Sequence, residues 1–120
     1  MSTPIDERRL TAMEAYQALQ EFVNQLPGDD LATLSVDLDL DEKGNSFDRA
    51  VLYEWLEEWG EPNTLEVADA YLRLGKFIHR ERYWSKDEEV QDVIRRLTSA
   101  ERDNQLWSLW IDAVKRGSDR

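Results

Sequence analysis

Displaced by 55 positions, the chain falls on itself. Leu10, Ala15, Tyr16, Leu19 and Phe22 land on Leu65, Ala70, Tyr71, Leu74 and Phe77, and further on Asp48 meets Asp103 and Trp55 meets Trp110. Over 10–23 and 48–59 seven positions are identical, where unrelated sequence of ordinary composition gives about one or two. Val51, Leu56 and Trp59 meet Leu106, Ile111 and Val114, so size and polarity persist where identity does not. Between these spans the copies align with a further displacement of four, which places Leu31, Leu34 and Leu38 over Val90, Val93 and Leu97. The first loop is thus longer in the second copy and the second loop shorter, changes that surface connections absorb at little cost.

The matched apolar positions recur at three and four residues, the period of a helix with one buried face. Each copy therefore reads as three helices. The first carries Ala12, Ala15, Tyr16, Leu19, Phe22, Val23 and Leu26 and ends at Pro27-Gly28. Two starts are open for it: Thr3-Pro4, a capping residue before proline, or the Thr11 to Glu14 capping box. Its counterpart opens at Pro62-Asn63-Thr64 and carries Val67, Ala70, Tyr71, Leu74, Phe77 and Ile78. The middle helices are expected over about 30–37 and 86–97. The third helices carry Val51, Leu52, Trp55, Leu56 and Trp59, then Leu106, Trp107, Trp110, Ile111 and Val114. No segment sustains an alternation of β-branched residues, so a sheet is not expected.

The fold class that follows is all-α, a tandem duplication of a three-helix unit giving about six helices. Residues 1–61 form the first repeat and 62–120 the second. A unit of about 50 residues buries too little surface to be stable alone, so the two are expected to share one core as a single domain. Trp55, Trp59, Trp107 and Trp110 stand on the repeated stripes and are assigned to that core. Trp84 lies in Arg82-Tyr83-Trp84-Ser85, in the loop that lengthened in the second copy, and has no counterpart. Tyr83 and Trp84 are therefore candidate contact residues, since exposed Tyr and Trp anchor interfaces.

Charge divides the copies. Residues 1–60 hold 14 acidic against four basic side chains, and residues 61–120 hold 12 against 11. Eleven carboxylates fall between Asp29 and Glu61, offset only by Lys43 and Arg49. Like charges gathered on one surface oppose folding by self-repulsion, whereas a field of one sign speeds association with an oppositely charged protein. Asp29, Asp30, Asp37, Asp39, Asp41, Glu42, Glu54, Glu57 and Glu58 are the candidate partner-binding acids, and the expected partner is a basic protein; self-association is open. In the second copy Arg73, Lys76 and Arg80, then Arg95, Arg96 and Arg102, are expected to pair with neighbouring acids. With a formal net charge of -11 and no segregated basic region, the chain lacks the phosphate-neutralising charge on which nucleic-acid binding depends.

Chemistry is sparse. There is no cysteine and a single histidine, His79, one position past an apolar stripe and expected on the helix surface. Neither an activated nucleophile nor a Cys-based metal site can be assembled, and no glycine-rich phosphate loop occurs. The chain reads as non-enzymatic and without a cofactor. Asp37-Leu38-Asp39-Leu40-Asp41, with Asp48 twelfth, approaches a calcium loop, but Glu42 stands where glycine is needed and Asp48 where a longer glutamate would chelate; calcium binding is kept as a minor alternative. No apolar run reaches the length of a membrane span and the start is charged, so a cytoplasmic protein is expected.

The succession Ala-Tyr-x-x-Leu-x-x-Phe, Asp-Asp-Leu-x-x-Leu, an Asp-x-Gly-like loop and Trp-Leu-x-x-Trp resembles short bacterial all-helical acidic proteins. In size, acidity and helicity the chain is also similar to cytosolic immunity proteins of contact-dependent inhibition systems. The resemblance implies an immunity or antitoxin protein that masks a basic partner such as a nuclease toxin, and it transfers no site residues. The alternative is an adaptor or regulatory interaction module.

Overall fold

A computed structural model describes residues 8–38, 49–61 and 63–118. Helix α1 (Ala12–Asn24) starts at the second of the two expected places: Thr11 Oγ1 accepts from the Glu14 amide at 3.1 Å and Glu14 Oε1 accepts from the Thr11 amide at 2.9 Å. The two bonds occupy donors that a helix start leaves unpaired. Next come α2 (Asp29–Leu38), α3 (Arg49–Trp59), α4 (Val67–Arg82), α5 (Glu88–Thr98) and α6 (Asn104–Ser118). Among the described residues the chain is all-helical apart from one short ribbon, and its buried apolar side chains from both halves join in one core.

That ribbon corrects the expectation of no sheet. β1 (Arg9–Thr11) and β2 (Thr64–Glu66) pair antiparallel, with Leu10 opposite Leu65 and both buried. Arg9 holds the pair from outside, donating to Thr64 Oγ1 at 2.8 Å and to the Thr64 carbonyl at 2.9 Å. Thr64 is therefore a strand residue rather than a helix cap, and α4 begins at Val67 with no side-chain cap at Glu66. The Thr3-Pro4 alternative lies outside the described residues, and the extended run Arg9–Thr11 separates it from α1.

The repeated apolar positions are the core. Ala15, Tyr16, Leu19, Phe22 and Val23 of α1 are buried, as are Ala70, Tyr71, Leu74, Phe77 and Ile78 of α4. Leu31, Leu34 and Leu38 of α2 and Val90, Val93 and Leu97 of α5 are buried at the places the four-residue displacement assigns. Trp55, Trp59 and Trp110 are buried; Trp107 is only half-buried, and Leu56 is 38% exposed although the stripe placed it inside.

The packing crosses between halves. Trp110 of α6 meets Phe22 of α1 edge-on with ring centroids 6.2 Å apart, and Trp55 of α3 meets Phe77 of α4 edge-on at 5.4 Å. Each indole N–H turns back to its own half: Trp55 Nε1 donates to the Ala12 carbonyl at 2.9 Å and Trp110 Nε1 to the Val67 carbonyl at 3.1 Å. Every residue in one set is displaced by 55 from its equivalent in the other, as are Leu10 and Leu65 across the ribbon, so the contacts obey an approximate twofold relation.

A second meeting of the halves lies at the starts of α2 and α5. Asp87 Oδ1 accepts from the Glu89 amide at 3.0 Å while its Oδ2 accepts from the Asp29 amide at 3.2 Å, so one carboxylate serves two helix N-termini. Gly28 leads into α2 with φ of 107°, and a Cβ there would lie 2.7 Å from Val90 Cγ2, so the turn requires glycine. Asp103 caps α6 by accepting from the Leu106 amide at 2.9 Å and is held by Arg96 Nε at 2.7 Å. The guanidinium first, and that amide next, hold its carboxyl down at about 2.

Trp55→Phe and Trp110→Phe each keep an aromatic ring at the site but remove the indole N–H bond to the Ala12 or Val67 carbonyl and part of the buried ring. Each is expected to lower the unfolding free energy by about 1–3 kcal/mol, and by similar amounts, read as a reduced urea midpoint at unchanged slope. A loss in one variant and none in the other would show that the two indoles are not equivalent.

Candidate functional site

Two of the expected acids, Glu57 and Asp37, meet the C-terminal turns of α4. Arg80 Nη2 lies 3.1 Å from Glu57 Oε2 on α3, and Arg82 Nη2 lies 3.5 Å from Asp37 Oδ2 on α2. The two arginines thus place α3 and α2 beside the end of one helix, and the acids they take are no longer free charges. Arg82 is only 7% exposed. Its Nε donates to the Asp30 carbonyl and its Nη1 to the Glu81 carbonyl, both at 2.8 Å, so the planar fork joins three backbone and side-chain acceptors from two helices. Ser85, buried in the following turn, donates its hydroxyl to Asp30 Oδ2.

The α4–α5 turn carries its aromatic pair outward. Tyr83 is 65% and Trp84 56% exposed. Trp84 is nonetheless fixed: its Nε1 donates to the Glu81 carbonyl at 2.8 Å, and the Arg82 guanidinium lies 5.4 Å from its ring centroid. The His79 and Tyr83 rings lie 6.2 Å apart, with His79 on the surface as expected. An exposed indole held by its own hydrogen bond loses little further freedom when it is covered, which suits it to anchor a partner.

The expected acids that fall within the described residues can now be placed. Asp29 is exposed at the start of α2; Asp30 and Asp37 are bound to Ser85 and Arg82; Glu57 is bound to Arg80. Glu54 and Glu58 are half-buried on α3 and have no ion pair among the described residues. Asp39, Asp41 and Glu42 lie outside the described residues, as does most of the calcium-like segment; among the described residues no group of three His, Cys, Asp or Glu side chains is placed to hold a metal ion. Arg95 and Arg96 pair with Asp92 within α5 as expected, whereas Arg80 reaches across to α3 and Arg102 stacks on Trp107 instead.

Three contributors escaped the sequence reading. Arg82 has partners far away in sequence, so no helical spacing announces it. Tyr53 and Leu56, 66% and 38% exposed, add apolar area among the α3 acids. Tyr53 lies off the Trp55/Trp59 stripe, which is a usable signal; Leu56 lies on it, which is not.

Comparison with family models, with curated proteins and with solved structures finds no match to the chain. Among the described residues no helix is long and apolar enough to cross a membrane.

Because Arg82 is buried and forked, Arg82→Met is expected to cost about 2–4 kcal/mol in unfolding free energy. Arg82→Lys should recover less than half of it, since one ammonium cannot reach the three acceptors together. Urea unfolding followed by Trp fluorescence checks both; full recovery by lysine would reduce the contact to a simple charge pair.

Proposed function

We propose that the protein is a non-enzymatic binding module that docks a basic protein partner on the surface made by α3 and the α4–α5 turn. An immunity or antitoxin protein covering the positive cleft of a nuclease toxin is the sharpest form of this reading. The observation that carries it is the exposed Tyr83 and Trp84, the latter fastened by its own hydrogen bond, on the turn that follows the arginines paired with acids of α2 and α3. Aromatic anchors ringed by charge are the arrangement in which a few residues supply most of the affinity and the surrounding field supplies rate and selectivity. The excess negative charge of residues 1–60 supports a positive partner, and Glu54 and Glu58 are the described acids of α3 without an internal cation.

One observation favours a second reading, an adaptor whose partners share no particular charge. Arg80 and Arg82 neutralise part of the acid at this surface, and Tyr53, Leu56, Tyr83 and Trp84 leave apolar area exposed.

The two separate experimentally. Proteins recovered with the tagged chain from its own host are identified, and binding of the purified partner is measured against salt. For a basic partner, Glu54→Lys with Glu58→Lys should slow association at low salt by about tenfold or more, and Trp84→Ala should weaken binding by about 2 kcal/mol, with melting temperatures retained. Binding that ignores salt and both charge reversals yet is lost in Trp84→Ala would contradict the basic-partner reading and favour the adaptor.

A further inference from the structure

A concave site lies at the other end of α4. Its position is independent of the docking surface: Tyr71 and Arg82 are separated by about 16 Å along the helix. Tyr71 of α4, Ser99 at the end of α5, and Arg96 and Arg102 line a recess of about 140 Å³ between α4, α5 and the segment leading into α6. At about 30 Å³ per water, that space accepts four or five non-hydrogen atoms, the size of acetate or inorganic phosphate.

Leu72, Leu97, Ala100 and the exposed Glu101 complete the lining. Tyr71 is 3% exposed, and its hydroxyl is buried with no hydrogen-bond partner among the described residues. A buried donor left unpaired is costly and is rare in native proteins, so it points to a group it serves. Burial above all, with the Asp103 charge next, raises the phenol's pKa, so the group remains a neutral donor. Trp107 fixes two sides of the recess at once. Its ring meets Tyr71 edge-on at 5.3 Å, and the Arg102 guanidinium sits 3.9 Å from its centroid. Arg96 is occupied by Asp103, Asp92 and Gln105, so its charge is offset and it offers no free N–H groups. No ion pair holds Arg102 among the described residues, and its edge remains available to donate. The first half offers nothing equivalent: the positions that align with Arg96 and Arg102 are Asp37 and Phe47.

We propose that this recess is a binding site for a small oxyanion, with the Tyr71 hydroxyl and the Arg102 guanidinium as donors and Trp107 holding both in place. The shared chemistry is a compact anionic group with at least two acceptor oxygens, supplied as a carboxylate or as a phosphate.

The full chain is titrated with sodium acetate and, separately, with inorganic phosphate, against sodium chloride at matched ionic strength, and amide shifts and melting temperature are recorded. The expected result is saturable movement of the amides near residues 98–104 with one or both anions, together with a rise in melting temperature above the chloride control. Saturation by acetate alone assigns a carboxylate, saturation by phosphate alone a phosphate, and saturation by both the wider oxyanion class. Arg102→Gln and Tyr71→Phe should each weaken binding about tenfold or more. Without anion Tyr71→Phe should melt no lower than the parent, because it removes an unpaired hydroxyl. Saturation by neither anion, or a response that survives both substitutions, overturns the proposal.

Discussion

Trp55 and Trp110 each make two demands that only the assembled chain can meet. The indole N–H is satisfied inside its own half, at Ala12 or Val67, while the ring is covered by a phenylalanine of the other half. A tryptophan that must be both hydrogen-bonded and buried is among the most consequential side chains in a small core, because it carries much of the apolar area and has a polar edge that cannot be left dry. The rest of the architecture serves this crossed arrangement. The β1–β2 ribbon brings the entrances of α1 and α4 side by side, and Asp87 ties the entrances of α2 and α5.

A framework tied down this way leaves the outer faces free to differ. Tyr53, Glu57 and Glu61 of the first half correspond to Ser108, Asp112 and Arg116 of the second, and Asp37 corresponds to Arg96. The same scaffold thus carries two different ends of α4: an exposed aromatic turn beside paired acids at one, and a recess lined by Tyr71, Ser99 and Arg102 at the other. Arg80 and Arg82 show that the acids of the first half also have an internal role, since two of them anchor the end of α4.

The core was legible in the sequence because burial repeats: a position that is apolar at the same place in both halves has one physical reason in common. The Thr11 capping box was legible as one of two starts, since its two residues are local. The ribbon was not, because three residues per strand are too few to establish a period of two, and Thr64 imitates a cap. Leu56 shares the spacing of the core stripe but falls at its edge. Which helix packs on which half was also hidden, as a repeat says that two units are alike and not how they embrace. At the candidate surface Tyr83 and Trp84 stood out as an insertion without a counterpart. Arg82 did not, because its partners at Asp30 and Asp37 come near only through the fold.

The central claim is that neither half can satisfy its tryptophan alone. Residues 1–61 and 62–120, produced separately, test it by far-ultraviolet circular dichroism and urea titration, alone and mixed in equal amounts. The account predicts little helix and no cooperative unfolding for either piece, with both recovered on mixing. Cooperative unfolding of each piece at near-full helicity, unchanged by the other, would contradict it.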